Sequence, residues 1–141
     1  MIEVRKVGEP ADLEKVFAIR RKVFVEEQHC PPGLEWANED KSVHFLACYN
    51  GTPCGASRWR KTENGYKLER FAVLNEFRGK GVGTKLVKAV LNDLPPGTSN
   101  IYLNAQLPVV DFYALFGFHA VGEKFEEAGI MHQQMVLSSV G

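Results

Sequence analysis

Residues 76–84 read EFRGKGVGT, and they contain the three glycines Gly79, Gly81 and Gly83. The strand-like run KLERFAV precedes this segment and apolar residues at helical spacing follow it, so the glycines join a strand to a helix. The N-terminus of a helix has unpaired backbone N–H groups and the positive end of the helix dipole, which together favour an anion. Glycines let these amides approach a phosphate closely, and Arg78 and Lys80 add positive charge. A flexible turn without a ligand is the alternative, and two glycines would suffice for it.

Two familiar phosphate-binding loops are excluded by the residues around these glycines. In a P-loop the second glycine precedes Lys and then Ser or Thr, whereas Gly83 precedes Thr84 and Lys85. The dinucleotide-binding pattern needs a glycine three residues after Gly81, and that position is Thr84. The amino half of the chain also lacks the βαβ pattern of a dinucleotide-binding fold.

Outside the glycine segment, the hydrophobic pattern predicts the element order β-α-β-β-β-α-β-α-β-β. The dipeptides Asn50-Gly51 and Asn64-Gly65 predict two type I′ turns and hence an antiparallel three-stranded meander. We therefore expect one domain over residues 1–141, an α/β fold whose mixed, mostly antiparallel sheet has helices on both faces. The predicted elements are a strand at 2–7, a helix at 12–27, a loop at 29–42, strands at 43–49, 53–63 and 66–74, a helix at 82–94, a strand at 101–106, a short helix at 109–116, and a closing strand pair at 117–129 and 132–137.

The composition is that of an ordinary globular chain and excludes several classes of function. Seventeen Lys and Arg residues balance seventeen Asp and Glu residues, so no net charge favours nucleic acid or an anionic membrane. The chain has no 18-residue apolar run and no apolar leader at its start, and we expect a cytoplasmic protein. The three cysteines lack C-x-x-C spacing and no two histidines have metal-ligand spacing, so we expect buried thiols and no metal site.

The segment from Arg78 to Gly83 has the pattern R-x-x-G-x-G, which resembles the acyl-CoA signature of the GNAT N-acetyltransferase superfamily. NAQLPVVDFYALFGF resembles the second motif of that family, in which a strand leads to a helix that carries F-Y and ends in G-F. GEKFEEAGIMHQQMVL and RRKVFVEEQ resemble the small bacterial subgroup typified by ElaA and YjcF. The resemblance covers nearly the whole chain in order.

The resemblance implies acetyl-CoA as co-substrate and a set of residues that bind it. Backbone amides near the glycines would bind the pyrophosphate, and the exposed edge of the preceding strand would pair with the pantetheine arm. That pairing requires the strands near residues 71 and 104 to part, which a β-bulge allows. Gln106 stands where many relatives have asparagine, and Met131 stands where the subgroup often has proline. The implied cofactor-binding residues are Phe71, Ala72, Val73, Arg78, Gly79, Lys80, Gly81, Val82, Gly83, Thr84, Gln106 and Phe112.

The same resemblance assigns Tyr113 as the general acid toward the thiolate of CoA, since a phenol is protonated at neutral pH. The alternative is a core tyrosine among phenylalanines. Three residues are candidates for the general base. Glu69 could instead be a solvated or ion-paired strand residue, Glu27 could bind a cationic amine or be an exposed helix-end residue, and His132 could simply pack in its strand.

We therefore expect an enzyme that transfers an acetyl group from acetyl-CoA to a primary amine by direct transfer in a ternary complex. The acceptor would be a small-molecule amine or a protein amino group, and the protein a monomer or homodimer. Trp36, in the predicted loop, could form a wall of the substrate pocket. Two alternatives remain, a non-catalytic acyl-CoA sensor and a binder of other phosphates.

Overall fold

The computed structural model describes residues 1–30, 41–95 and 97–139. Residues 31–40, which make up most of the predicted loop and include Trp36, lie outside the described part of the chain. The prediction for Trp36 therefore stays a prediction.

Within the described residues, eight strands form one sheet in the order β1-β2-β3-β4-β5-β8-β6, and β7 also pairs with β8. The pairing of β4 with β5 is parallel and the other pairings are antiparallel, so the predicted mixed, mostly antiparallel sheet is confirmed. The strands are β1 (Ile2–Lys6), β2 (Ser42–Tyr49), β3 (Thr52–Thr62), β4 (Gly65–Val73), β5 (Ser99–Gln106), β6 (His119–Ala120), β7 (Phe125–Glu127) and β8 (Ile130–Ser139).

The helices lie on both faces of this sheet. They are α1 (Pro10–Arg20), a π-helical segment that continues it (Arg21–Glu27), α2 (Val82–Asp93) and α3 (Val110–Ala114). Successive side chains of β2 point to opposite faces of the sheet and belong to two separate hydrophobic cores. Phe45 packs with buried residues of α2, whereas Leu46 packs with Val16 of α1. The single helix predicted over 12–27 is therefore α1 together with its π-helical continuation, a local change of helix type that the periodicity does not predict.

Two details of the predicted fold are wrong. Residues 117–129 were expected to form one strand, but they contain β6 and β7, separated by a break at which Gly122 has a φ of +72°. The second Asn-Gly turn is also different, because Thr62 pairs with Gly65 and the φ of Asn64 is not positive. In that turn only Gly65 has a positive φ, so the turn is not type I′. The first turn has positive φ at both Asn50 and Gly51, as predicted.

Candidate active site

The strands β4 and β5 part in the middle of the sheet. Their parallel pairing begins at Tyr66 and ends at Leu68 and Leu103, although β4 continues to Val73. On its other edge β4 stays paired with β3. Arg58 lies opposite Glu69, and Ala56 lies opposite Ala72. One residue of β3 therefore faces two residues of β4 between these pairs, so β4 contains one extra residue. Arg70, within this bulge, has a φ of +59°. The predicted parting of the strands and the predicted bulge are both confirmed.

The parted strands open into a cleft of about 780 Å³. The π-helical segment, the loop before α2, the start of α2, α3 and the β7–β8 hairpin complete its walls. Apart from Lys80, all the residues predicted for the site line this cleft. They are Glu27, Glu69, Phe71, Ala72, Val73, Arg78, Gly79, Gly81, Val82, Gly83, Thr84, Gln106, Phe112, Tyr113 and His132.

The three glycines of the loop before α2 have different roles. Gly79 and Gly81 have positive φ values, +77° and +91°, which residues with a side chain rarely adopt. Gly83 is helical, and a Cβ at its position would lie 3.4 Å from the ring of Phe112. Within the described residues, no hydrogen bond occupies the backbone N–H groups of residues 79–84, and the first amide of α2 with a backbone acceptor is that of Lys85. The loop thus presents free amides at one end of the cleft.

The side chain of Arg78 is held by other parts of the protein. Its Nη1 and Nη2 donate to the two carboxylate oxygens of Glu27 at 2.7 and 2.9 Å, and its Nε donates to the carbonyl oxygen of Val73 at 2.9 Å. The hydrogen bond from Arg78 is the main cause that lowers the pKa of Glu27. Glu27 is therefore paired with a protein cation, rather than free to receive the amine that the sequence suggested.

Two further predicted cofactor residues have protein partners. The ammonium group of Lys80 lies 5.5 Å from the ring centre of Tyr49 and outside the cleft, because the cation is attracted to the aromatic face. The carboxamides of Gln106 and Gln28 exchange two hydrogen bonds, with N–O distances of 3.0 and 3.3 Å. These two hydrogen bonds connect Gln28, which follows the π-helical segment, to Gln106, the last residue of β5, across the cleft.

Tyr113 of α3 is buried in the aromatic cluster expected for it. Its ring makes edge-to-face contacts with Phe71, Phe112 and Phe118. Burial raises the pKa of the Tyr113 hydroxyl well above its ordinary value, so the phenol is protonated across the physiological range. In the described part of the chain this hydroxyl has no hydrogen-bond partner, which leaves it available to a ligand in the cleft.

Glu69 lies among cations on the neighbouring strand positions. Arg58 Nε and Arg60 Nε donate to its Oε2 at 2.7 and 3.0 Å, and Lys67 Nζ lies 3.2 Å from its Oε1. Burial alone would raise the pKa of Glu69, but these three cations lower it to about 2. A carboxylate with so low a pKa accepts protons poorly at neutral pH. The surroundings therefore contradict the role of base and fit the alternative, an ion-paired strand residue.

His132 of β8 is buried at the edge of the cleft. Its Nδ1 lies 2.7 Å from the carbonyl oxygen of Ile130, which can only accept, so Nδ1 carries the proton in the neutral ring. Its Nε2 then has a free lone pair and lies 4.0 Å from a carboxylate oxygen of Glu127. The ring also stacks on Phe125 with 5.7 Å between ring centres. Of the three predicted bases, His132 has the surroundings that best suit proton transfer.

Three cleft residues were missed in the sequence. Gln28 and Glu127 lie within the two subgroup motifs, but their partners Gln106 and His132 are set by the folded positions of the π-helical segment and the β7–β8 hairpin. Asn104 was read only as part of a motif, yet its Oδ1 is buried without a hydrogen-bond partner in the structure. Such an orphaned acceptor cannot be detected from sequence, because it depends on every neighbouring contact.

The described residues contain neither a metal site nor a membrane-spanning helix. No group of three His, Cys, Asp or Glu side chains there is arranged to hold a metal ion. None of the helices in the same residues has the length and apolar character to span a membrane. Cys48 and Cys54 are buried thiols, as expected, whereas Cys30 is only half-buried. Burial raises the pKa of Cys54 to about 11.

Parted strands beside a glycine-rich loop at the start of a helix resemble the architecture of acyl-CoA N-acyltransferases. Comparison of the chain with known proteins leads to the same class. The family described as "Acetyltransferase (GNAT) domain" matches residues 8–139. The uncharacterized N-acetyltransferase YjcF of Bacillus subtilis is 39% identical over 127 residues, which cover 88% of this chain and 91% of YjcF. The chain belongs to the GNAT acetyltransferase family, in the subgroup of YjcF and ElaA.

Solved structures support the same assignment. The crystal structure of Escherichia coli ElaA matches with a TM-score of 0.79 and 27% identity, over 96% of this chain and 99% of ElaA. An acyl-CoA N-acyltransferase from Pseudomonas aeruginosa matches with a TM-score of 0.75 and 25% identity, over 98% of this chain and 99% of that one. Family membership supports acyl transfer from an acyl-CoA as the class of reaction.

Proposed function

We propose that this protein is an N-acetyltransferase that transfers the acetyl group of acetyl-CoA to a primary amine, directly and in a ternary complex. The observation that carries the proposal is the parting of β4 from β5 beyond Leu68 and Leu103, beside the free amides of residues 79–84. The first feature offers a strand edge to the pantetheine arm, and the second offers donors to the pyrophosphate.

In this proposal the binding of acetyl-CoA relies on backbone groups more than on side chains. The amides of Gly79 to Thr84 bind the pyrophosphate, and the unpaired edge of β4 over Phe71, Ala72 and Val73 pairs with the pantetheine arm. Phe112 packs behind Gly83 and fixes the start of α2. Arg78, held by Glu27 and Val73, keeps the loop and the π-helical segment together beside the phosphates rather than neutralising them alone.

The chemistry requires a neutral amine and a protonated leaving group. A lysine-like amine with a pKa of about 10.4 needs roughly 4–5 kcal/mol to lose its proton at pH 7. His132 Nε2 accepts that proton, and Glu127 stabilises the imidazolium. The neutral amine nitrogen bonds to the carbonyl carbon, and the carbon–sulfur bond breaks. The hydroxyl of Tyr113 gives its proton to the departing thiolate, and the resulting tyrosinate takes up the second proton that the nitrogen loses as the amide forms.

The proposal is tested by measuring thiol release from acetyl-CoA over a panel of amino acids, polyamines, amino sugars and amino-terminal peptides, with mass spectrometry of the product. We expect amine-dependent thiol release and an N-acetylated product with at least one of them. Binding of CoA without any acceptor-dependent thiol would instead identify a sensor. Thermal stabilisation by nucleotides but not by acetyl-CoA would identify a binder of other phosphates.

His132→Gln tests the base. We expect a lower kcat at neutral pH that recovers partly at alkaline pH, where more of the amine is neutral without a catalyst. An unchanged pH profile would exclude His132 as the base.

A further inference from the structure

Asn104 has a polar group that the fold leaves unused. The carboxamide oxygen of Asn104 is buried and accepts no hydrogen bond, and the side chain makes none with the rest of the described chain. Buried polar atoms in native proteins nearly always have partners, so an exception calls for an explanation. Asn104 also lines the cleft, at the point where β5 has already separated from β4.

The sheet register places Asn104 close to the proposed base. Along β5, Leu103 and Ala105 face the α2 core, so Asn104 and Gln106 face the opposite side. Across the β5–β8 pairing, Asn104 lies opposite Gln134 and Gln106 lies opposite His132. Asn104 and His132 are therefore diagonal neighbours on one face of the sheet, about 7–8 Å apart.

Gln106, which neighbours both Asn104 and His132 on this face of the sheet, does not compete for the same ligand. Gln106 uses both groups of its carboxamide in the pair with Gln28. Nothing equivalent holds the amide of Asn104, so rotation about its Cβ–Cγ bond can turn the oxygen toward the cleft. The cleft on this side thus offers one uncommitted amide beside one uncommitted imidazole nitrogen.

We infer that Asn104 Oδ1 binds the amino group of the acyl acceptor, together with His132 Nε2 and the carboxylate of Glu127. These are three hydrogen-bond acceptors, and a primary ammonium has three N–H donors and no acceptor. A hydroxyl or thiol acceptor has one donor and leaves two of the three groups unsatisfied. The arrangement therefore selects a primary amine over other nucleophiles, and the inference rests on the proposed acetyl transfer.

The test compares Asn104→Leu, which has a similar volume and no polar atom, with Asn104→Asp, which keeps an acceptor oxygen. Gln134→Leu is the matched control, since it makes the same change at the cross-strand neighbour, which does not line the cleft. For each variant we would measure the KM for the best amine, the Kd for acetyl-CoA and the Tm.

We expect Asn104→Leu to raise the amine KM about 10-fold or more, the loss typical of a hydrogen bond to a charged group. The Kd for acetyl-CoA should stay within about twofold of the parent, and the Tm should be equal or higher because an unsatisfied buried group is removed. Asn104→Asp should keep an amine KM near that of the parent, and so should Gln134→Leu.

Several results would overturn the inference. A raised Kd for acetyl-CoA with an unchanged amine KM would mean that Asn104 contacts the pantetheine arm instead. A parental amine KM in folded Asn104→Leu, or a raised KM in Asn104→Asp if the leucine variant does not fold, would exclude the amine contact. A parent protein that binds acetyl-CoA but turns over no amine would contradict the proposed function as well, so the two failures are distinguishable.

Discussion

Glu27 and Arg78 form a two-pronged ion pair between the end of the π-helical segment and the loop that begins α2. The residues are 51 positions apart in the chain, and the two N–O distances are 2.7 and 2.9 Å. Because the guanidinium also donates to Val73, one side chain connects three walls of the cleft. The geometry of the proposed cofactor site thus depends on a contact between distant parts of the sequence.

Breaking this pair should weaken the binding of acetyl-CoA more than it weakens the fold. Both side chains are about two-fifths exposed, so solvent screens the pair, and we expect a coupling energy of about 0.2–1 kcal/mol for unfolding. Glu27→Gln should raise the Kd for acetyl-CoA several-fold because Arg78 and the loop are no longer fixed. Calorimetric titration and a double-mutant cycle with Arg78→Gln would measure both effects. An unchanged Kd in Glu27→Gln would mean that the loop does not need this support. Glu26→Gln, the neighbouring change, is the control.

Glu69 should make the stability depend on pH in the acid range. Its pKa is about 2 in the folded protein, below the ordinary 4.5, so its stabilising effect is complete above about pH 4.5 and is lost as the pH falls toward 2. Removing one partner of a buried ion pair costs about 3–5 kcal/mol, and Glu69→Gln should lose a free energy of unfolding of this size at pH 7. Urea unfolding between pH 7 and pH 3 would show a smaller decrease in the variant than in the parent. The exposed Glu63→Gln in the same hairpin is the control. Equal pH dependence of Glu69→Gln and the parent would contradict this account.

The sequence predicted those parts of the site that depend on local patterns. The glycine loop, the strand before it and the F-Y helix are read from neighbouring residues, and the structure gathers all three around one cleft. The sequence could not predict the protein partners of Glu27, Lys80 and Gln106, because each partner is distant in the chain. These partners are Arg78, Tyr49 and Gln28. The low pKa of Glu69 likewise requires the register that sets β3 cations beside it.

The glycines of the loop should respond differently to the same substitution. Gly81 has a left-handed backbone, and Gly81→Ala should cost about 1–2 kcal/mol of unfolding free energy. Gly83 is helical, and a Cβ added there would lie 3.4 Å from the ring of Phe112, which is an ordinary contact distance. Gly83→Ala should therefore be neutral or stabilise by up to about 1 kcal/mol through helix propensity. Thermal unfolding of the two variants beside the parent would measure the contrast. A lower Tm for Gly83→Ala than for Gly81→Ala would show that contact with Phe112 outweighs backbone strain.

Tyr113→Phe should separate the chemical role of the hydroxyl from the packing of the ring. The phenylalanine keeps the ring contacts, and the lost hydroxyl has no partner among the described residues, so the Tm should change little. We expect kcat to fall about 100-fold, the lower part of the range for general acid–base catalysis, because a thiolate is a stable leaving group. Since burial raises the pKa of this phenol, the parent should show no loss of activity from its deprotonation up to about pH 10. Tyr66→Phe, a tyrosine outside the cleft, is the control. A Tyr113→Phe enzyme with the parental kcat for its best amine would remove Tyr113 from the mechanism and leave the proton to water.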